Sequence, residues 1–276
     1  MALNIRFLAL LIYFGQIPFV YAQMGTEVLP RGARSIGMGN ASASLSDAWA
    51  IFNNPAGLSG LQHSQVFFGY DHRLDLNELT TLSAGMIQSR DKFSYGLAAS
   101  RFGGELFTQH LIGAAIANQM GITSLGLKVS YLQTAMEGFG TGGSWLVDFG
   151  GIAELTPHLF FAAHIFNLTR SNYGGASWDR VPTVVKSGIS FRPYEKVMTN
   201  VEIEKDVLYP AILKVGLEYN FYQKLWGRAG MNNQPQQLFF GIGCTGKRLA
   251  FDYSMTQHPR LGNTHHFSLN IQLSNE

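Results

Sequence analysis

The chain has 276 residues and a formal net charge of +2, with 14% charged residues, 46% hydrophobic residues, 31 glycines and one cysteine. Its high apolar content excludes an intrinsically disordered protein, and the single cysteine excludes a disulfide scaffold. The balanced charge excludes nucleic-acid binding through a basic surface, and the body of the chain has no apolar run long enough for a transmembrane helix. The composition predicts one large, glycine-rich, mostly β unit.

Residues 1–22 are predicted to be a signal peptide. Arg6 supplies the positive charge ahead of an apolar run, and Val20-Tyr21-Ala22 resembles a small-residue cleavage site, so the mature chain would start at Gln23. The alternative is a signal anchor, but Gln16 and Pro18 interrupt the apolar run and leave it too short to span a membrane.

Residues 23–63 do not show strand periodicity and are predicted to form a compact plug. A short helix is expected from Asp47 to Asn53, with Ser46 as its N-cap. Asn54 is expected to cap a second turn whose first residue is Pro55, a position where the missing N–H costs nothing. Small residues throughout this segment allow close packing.

Residues 64–276 alternate between apolar and polar side chains, which is typical of β-strands with one apolar face. The last predicted strand shows it best, with Phe267, Leu269 and Ile271 separated by polar residues. Fourteen strands are predicted, near 65–72, 78–88, 92–101, 106–118, 122–134, 143–153, 158–167, 181–191, 196–204, 211–221, 224–231, 236–243, 247–256 and 264–274.

A soluble sandwich and a transmembrane antiparallel β-barrel are both compatible with this alternation, and the connections favour the barrel. If the chain enters from the periplasm, the even-numbered connections are short periplasmic turns. The odd-numbered ones include longer outside segments at 134–142, 168–180 and 257–263. Short turns on one side and longer loops on the other are typical of outer-membrane barrels.

Three motifs carry a family resemblance: Arg31-Gly32-Ala33-Arg34, Gly37-Met38-Gly39-Asn40-Ala41 and Asn54-Pro55-Ala56-Gly57-Leu58. They resemble the N-terminal signature of FadL-like outer-membrane proteins, a group with long-chain fatty-acid transporters and the PorV/PorQ proteins of type IX secretion. The resemblance implies a fourteen-stranded barrel in the bacterial outer membrane with an N-terminal hatch. The implied hatch or gate residues are Arg31, Arg34, Gly37, Gly39, Asn54, Pro55, Ala56 and Gly57.

The polar face of the strands would place charged residues in the lumen: Lys128, Lys186, Glu202, Glu204, Lys214, Glu218, Arg228, Arg248 and Asp252. One interpretation is an ion-paired interior that holds the plug, with Arg31 or Arg34 bound to Glu202, Glu204 or Glu218. The other is a hydrophilic conduit. The mixed signs argue against strong ion selectivity, which needs a ring of one charge.

No catalytic, metal or cofactor site is predicted. The sequence lacks a G-x-S-x-G nucleophile motif. His265 and His266 are neighbours on one strand and would point to opposite faces, which prevents them from binding one metal ion together. Cys244 is expected to be an inert thiol in a periplasmic turn.

Two functions are therefore expected. The first is passive uptake of small hydrophobic compounds through a barrel gated by the hatch. The alternative is a non-transporting, PorV/PorQ-like accessory component of a type IX protein secretion complex. The expected partners are outer-membrane lipid, a hydrophobic small molecule and, for the alternative, secretion-complex proteins; nucleic acid is not among them.

Overall fold

A computed structural model of the chain describes residues 28–174 and 180–273. The predicted signal peptide, residues 1–22, lies outside the described residues. The fold is a closed barrel of fourteen strands. These are β1 (Gln65–Arg73), β2 (Leu76–Arg90), β3 (Phe93–Gly103), β4 (Phe107–Met120), β5 (Thr123–Met136), β6 (Gly140–Thr156), β7 (Leu159–Phe166), β8 (Val184–Tyr194), β9 (Val197–Asp206), β10 (Ile212–Tyr222), β11 (Leu225–Asn233), β12 (Gln236–Thr245), β13 (Leu249–His258) and β14 (Gly262–Gln272).

The prediction of fourteen antiparallel strands is confirmed, and every predicted strand overlaps one in the structure. Each strand pairs with its neighbours in chain order, and β1 pairs with β14 to close the sheet. In that closing ladder Phe68 lies opposite Leu269, and Gly69 lies opposite Ser268. Closure removes the sheet edges, so the wall leaves no row of unpaired backbone groups.

The outer surface of the barrel is apolar, whereas its interior contains the buried charged and polar side chains together with apolar ones. On β14, Phe267 faces outward and is 37% exposed, whereas His266 and Ser268 on either side of it face inward and are 5% and 2% exposed. The same alternation runs along β10, where Leu217 is 45% exposed and Glu218 is 2% exposed. An apolar exterior around a polar lumen is the arrangement of a membrane-spanning barrel. No helix among the described residues is both long and apolar enough to cross a membrane.

The connections differ from the prediction in length. Two of the segments expected to be long loops are tight turns, because Met136 pairs with Gly140 and His258 pairs with Gly262, which extends the ladders at both places. The connection between β7 and β8, residues 167–183, is long, and residues 175–179 within it lie outside the described residues. The asymmetry of the connections therefore depends on this loop. We call its side of the barrel the loop end, and the opposite side, where β1 begins and β14 ends, the terminal end.

Two residues near the terminal end lie elsewhere than predicted. Cys244 is an exposed residue within β12, where it pairs with Phe251, and is not in a turn. Arg248 is exposed in the turn before β13 and is not an inward-facing strand residue. The reason is local: the N–H of Gly246 donates to the carbonyl of Leu249, and this bond closes the turn ahead of the strand.

Residues 28–64, which we call the inner segment, pack against inward-facing residues of the wall. The segment contains helix α1 (Ala33–Gly37), helix α2 (Ala50–Asn53) and a 3₁₀ helix (Pro55–Gly60). The expected end at Asn53 is confirmed, but α2 begins at Ala50 without a side-chain cap, so the predicted Ser46 cap is wrong. The carboxylate of Asp47 instead accepts the N–H of Trp49 at 3.0 Å, which holds the chain in a turn before the helix.

Candidate functional site

The interior of the barrel is shaped around the inner segment by glycines on both sides. A Cβ added to Gly216 would overlap the carbonyl of Met38, and one added to Gly230 would overlap the backbone of Gly39. Gly39 itself has φ +65°, and a Cβ there would lie 2.8 Å from the backbone nitrogen of Met231. The two backbones can approach this closely only because side chains are missing where they meet.

Asn54 joins the inner segment to the other side of the wall. Its Oδ1 accepts the N–H of Ala56 at 3.2 Å, which confirms the predicted cap, and Pro55 occupies the first turn as expected. Its Nδ2 donates to the carbonyl of Ala43 at 2.6 Å and to the wall carbonyl of Gly151 at 3.4 Å. The side chain is fully buried. It therefore fixes a turn, a loop and a strand together.

Two wall glycines and Gly57 make this contact possible. A Cβ at Gly150 would overlap Asn54, and a Cβ at Gly126 would overlap Pro55 and Ala56. A Cβ at Gly57 would likewise overlap the carbonyl of Leu45. The Asn-Pro-Ala-Gly motif thus fits a recess formed by glycines on β5 and β6.

A chain of ion pairs connects the inner segment with β10, β11 and β13. Arg34 donates two hydrogen bonds to Glu218, from Nε to Oε2 at 2.9 Å and from Nη2 to Oε1 at 2.7 Å, which confirms the predicted pairing. Arg228 donates to the same carboxylate at 2.6 Å and to Asp252 at 2.7 Å. Asp47 lies at the other end, 3.4 Å from Arg34. The order is Asp47–Arg34–Glu218–Arg228–Asp252.

The pKa values of Arg34 and Asp47 are both raised, but for different reasons. Burial opposes the charge of Arg34, but the carboxylates of Glu218 and Asp47 outweigh it and raise the pKa of Arg34 above its ordinary value. Burial also raises the pKa of Asp47, and the nearby Arg34 offsets only part of that effect. Arg34 therefore stays charged, whereas Asp47 takes up a proton more readily than an aspartate in water does.

A second cluster of ion pairs lies on β8, β9 and β10. Lys214 donates to Glu204 at 2.6 Å and to Glu202 at 3.4 Å, and Lys186 lies 3.6 Å from Glu204. Glu202 also accepts the backbone N–H of Ala43 at 2.7 Å. These lysines and glutamates are at most 5% exposed. The lumen charges therefore neutralise one another and hold the inner segment.

Two residues that matter here, Asp148 and Asn200, were not found from the sequence. Lys128 pairs with Asp148 on the adjacent strand at 2.6 Å, and Asn200 donates to the carbonyl of Ala41 at 2.9 Å. The alternation along its strand indicates that Asp148 faces inward. Its pairing with Lys128 becomes visible only once the register of the two strands is known. Arg31 is held through its backbone, whose N–H and carbonyl both bond to the Asn53 side chain at 2.9 Å.

The loop end of the lumen contains an apolar cluster. Leu132 and Leu146 from the wall are at most 1% exposed. Val28 of the inner segment and Val181 of the β7–β8 connection close over them, and Phe166 completes the cluster from β7. The interior is therefore apolar at this end of the barrel.

The terminal end contains a polar cavity of about 220 Å³ between the inner segment and β10–β14. Arg34, Asp47, Trp226 and Asp252 line it, and Arg248 lies at its rim.

The histidines do not form a chelating pair. His265 contacts Tyr253 on the outer face, with 2.8 Å from Nδ1 to the hydroxyl oxygen, and His266 contacts Asp71 in the lumen at 2.8 Å. The two rings therefore point to opposite faces, as the sequence predicts. Within residues 28–174 and 180–273, no group of three or more His, Cys, Asp and Glu side chains is placed to hold a metal ion.

Comparison of the fold with known proteins identifies several hydrophobic-compound channels. The structure titled CymD monoaromatic hydrocarbon channel superposes with a TM-score of 0.72 at 13% identity, covering 91% of this chain and 100% of that chain. The toluene transporter TodX of P. putida superposes with a TM-score of 0.66 at 14% identity, covering 90% and 100%. A Pseudomonas aeruginosa FadL homologue gives 0.59 at 13% identity, covering 91% and 98%.

At the level of sequence, no family model matches the chain, and no curated protein matches it. The relation therefore rests on the barrel as a whole, with its strand number, its closure and its full coverage of the compared chains. The chain has the fourteen-stranded fold of the FadL-like outer-membrane barrels.

Proposed function

We propose that the protein is a bacterial outer-membrane barrel for passive uptake of small hydrophobic compounds, gated by the inner segment. The observation that carries this proposal is the apolar cluster of Leu132, Leu146, Phe166 and Val184 at the loop end of the lumen. Charged and hydroxyl side chains would suit a water-filled pore, whereas this cluster suits an apolar solute.

The compared structures support the proposal at the level of architecture. CymD and TodX are described as a monoaromatic hydrocarbon channel and a toluene transporter, and this barrel covers the full length of both. An apolar exterior agrees with an outer-membrane location. The proposal includes the expectation from the sequence that the protein is not an enzyme.

Gating follows from the way in which the inner segment occupies the lumen. It touches the wall through backbone contacts at Gly216 and Gly230 and through the ion pair between Arg34 and Glu218. A solute that enters at the apolar cluster passes only if this segment moves. The β2–β3 ladder is paired from Thr81 to Arg90, so a sideways route between these strands would require their separation.

Uptake in cells tests the proposal. The barrel is expressed in a strain without such channels, and uptake of radiolabelled toluene and of a long-chain fatty acid is measured. We expect the wild type to raise uptake of at least one compound and L132N/L146N to abolish the gain, because the amides make the cluster polar. Leu168→Asn is the matched control, since Leu168 is 52% exposed on the adjoining loop. Wild-type uptake equal to that of the empty strain for every compound would refute the function.

The second candidate is a PorV/PorQ-like accessory of type IX secretion that transports nothing. The observation favouring it is the shortness of the loop-end turns, such as residues 137–139 and 259–261, which leave little surface for catching a solute. It predicts that the barrel purified from its own host in mild detergent brings secretion proteins with it. Recovery of the barrel alone, together with measurable solute uptake, would exclude it.

A further inference from the structure

A pair of basic residues lies on the outer, apolar face of the barrel. Arg101 of β3 and His110 of β4 are directly opposite each other in the ladder. Arg101 is exposed, while Ser100 and Phe102 beside it are buried inward. Within the described part of the chain, neither side chain forms a hydrogen bond or an ion pair with another residue.

The height of the pair follows from the strand lengths. A tilted strand crosses a membrane in about 9–11 residues. Counted from the terminal end, Arg101 is residue nine of Phe93–Gly103, and His110 is residue eleven of Phe107–Met120. Both residues therefore lie at the membrane–water interface on the side of the loop end. Tyr131, which is residue nine of Thr123–Met136, faces outward beside them, as expected for an interfacial aromatic residue.

A shallow groove of about 520 Å³ starts at this pair and continues over the outer surface. Ala84 and Ala99, which face each other in the β2–β3 ladder, form its floor. Phe68, Leu82 and Ile112 stand beside them, with exposures of 52%, 50% and 62%. A second groove of about 610 Å³ shares Ala84, Ala99 and Ile112, so the two are continuous.

We propose that Arg101, His110 and this groove form a binding site for a membrane lipid with an anionic phosphate headgroup. The guanidinium of Arg101 binds the phosphate through two parallel N–H donors, and the ring of His110 supplies a third. An acyl chain lies over Ala84 and Ala99, where the methyl side chains leave room for it. The occupant is a lipid, because the groove opens on the apolar face that the bilayer covers and its charge lies at headgroup height.

This site rests on the membrane-spanning barrel and not on solute uptake, so the two proposals can fail separately. The full-length mature barrel in an uncharged detergent is titrated with phosphatidylglycerol and, separately, with phosphatidylcholine of the same chains, and bound lipid is counted by native mass spectrometry. We expect phosphatidylglycerol to bind at least tenfold more tightly. Arg101→Gln should remove that preference, and Ala84→Leu with Ala99→Leu should weaken both lipids by filling the groove.

Arg90→Gln is the matched control. Arg90 is also an exposed arginine, but it lies at the terminal end of β2, away from the groove, and its loss should change nothing. Equal binding of the two lipids, or equal effects of Arg90→Gln and Arg101→Gln, would overturn the proposal. So would competition by millimolar inorganic phosphate, which would mean that phosphate binds without the chain. If Arg101→Gln does not assemble, His110→Gln is measured in its place, and an unchanged preference there also overturns the site.

Discussion

Arg34 of the inner segment and Glu218 of β10 form a two-point ion pair, with donor–acceptor distances of 2.9 and 2.7 Å, although 184 positions separate them in the chain. Glu218 is shared with Arg228 at 2.6 Å. The pair therefore joins the inner segment to a carboxylate whose charge Arg228 of the wall also neutralises. Loss of the Arg34–Glu218 ion pair should therefore destabilise the position of the inner segment more than the wall.

The first prediction concerns the hold on the inner segment. Arg34→Ala removes the ion pair, and its cost should fall below the about 3–5 kcal/mol of a buried charge left without a partner, because Arg228 still pairs with Glu218. Asn54→Ala removes the cap, which typically costs about 1 kcal/mol. The double variant should leave the wall intact and show open or flickering conductance in planar bilayers, where the wild type is nearly silent.

Heat-modifiable mobility on gels serves as the control for barrel assembly. A double variant with the mobility shift of the wild type and the same silence would show that the segment does not block the lumen. Loss of the shift would instead make the segment part of the folding unit of the wall.

The second prediction uses the glycine contacts. A Cβ at Gly216 would overlap the Met38 carbonyl, whereas a Cβ at Gly188 would lie 3.2 Å from the Val201 carbonyl and touch only the wall. Gly216→Ala should therefore loosen the inner segment at a cost of about 1–3 kcal/mol, the usual range for overpacking, and Gly188→Ala should not. Cleavage of the segment by added protease measures the difference; equal cleavage rates would argue against a fitted contact.

The third prediction tests which face meets lipid. Leu217 is in the middle of β10 and Leu225 begins β11, and their exposures are 45% and 48%. Arginine near the bilayer midplane costs about 2–4 kcal/mol, falling to about 0–1 kcal/mol near the interface. Leu217→Arg should therefore destabilise the barrel in lipid vesicles far more than Leu225→Arg, as measured by urea unfolding. The reverse order would contradict the assignment of the outer face.

The fourth prediction concerns orientation. With Cys244 replaced by Ser, a cysteine in place of Glu137, in the exposed loop-end turn, should react with an impermeant maleimide on intact cells. A cysteine in place of Gln223, in an exposed turn at the terminal end, should react only after lysis. The inverted pattern would mean that the terminal end faces outward.

The fifth prediction concerns pH. Burial raises the pKa of Asp47 above its ordinary value of 3.8, so its proton is bound more tightly in the docked segment than in a released one. Docking is therefore weakened as the pH rises from that ordinary value through the raised pKa, and the loss is complete above it. Asp47→Asn should remove this contribution, so that its closed-state fraction, measured by conductance from pH 3.5 to 7, declines less than that of the wild type. Parallel curves would contradict the prediction.

The strands and their faces could be predicted from the sequence because the information is local. Alternation with a period of two marks a strand and its apolar face wherever it is, which is why Phe267 and Glu218 lie on the predicted faces. Asn54-Pro55 was also read correctly, because a cap involves residues only two positions apart. The number of strands and the polarity of the wall followed from these local signals.

Tertiary structure decided the partners and the close contacts. Lys128 meets Asp148 because the register of the β5–β6 ladder sets them opposite each other, and Arg34 meets Glu218 because the inner segment lies against β10. The role of Gly216 appears only when the backbone of Met38 lies against it, since in the sequence it is one glycine among 31. Loop lengths depended on ladder pairs such as Met136 with Gly140, which extend the strands beyond their predicted ends. Side-chain alternation is a property of each strand, whereas pairing and packing are properties of the closed sheet.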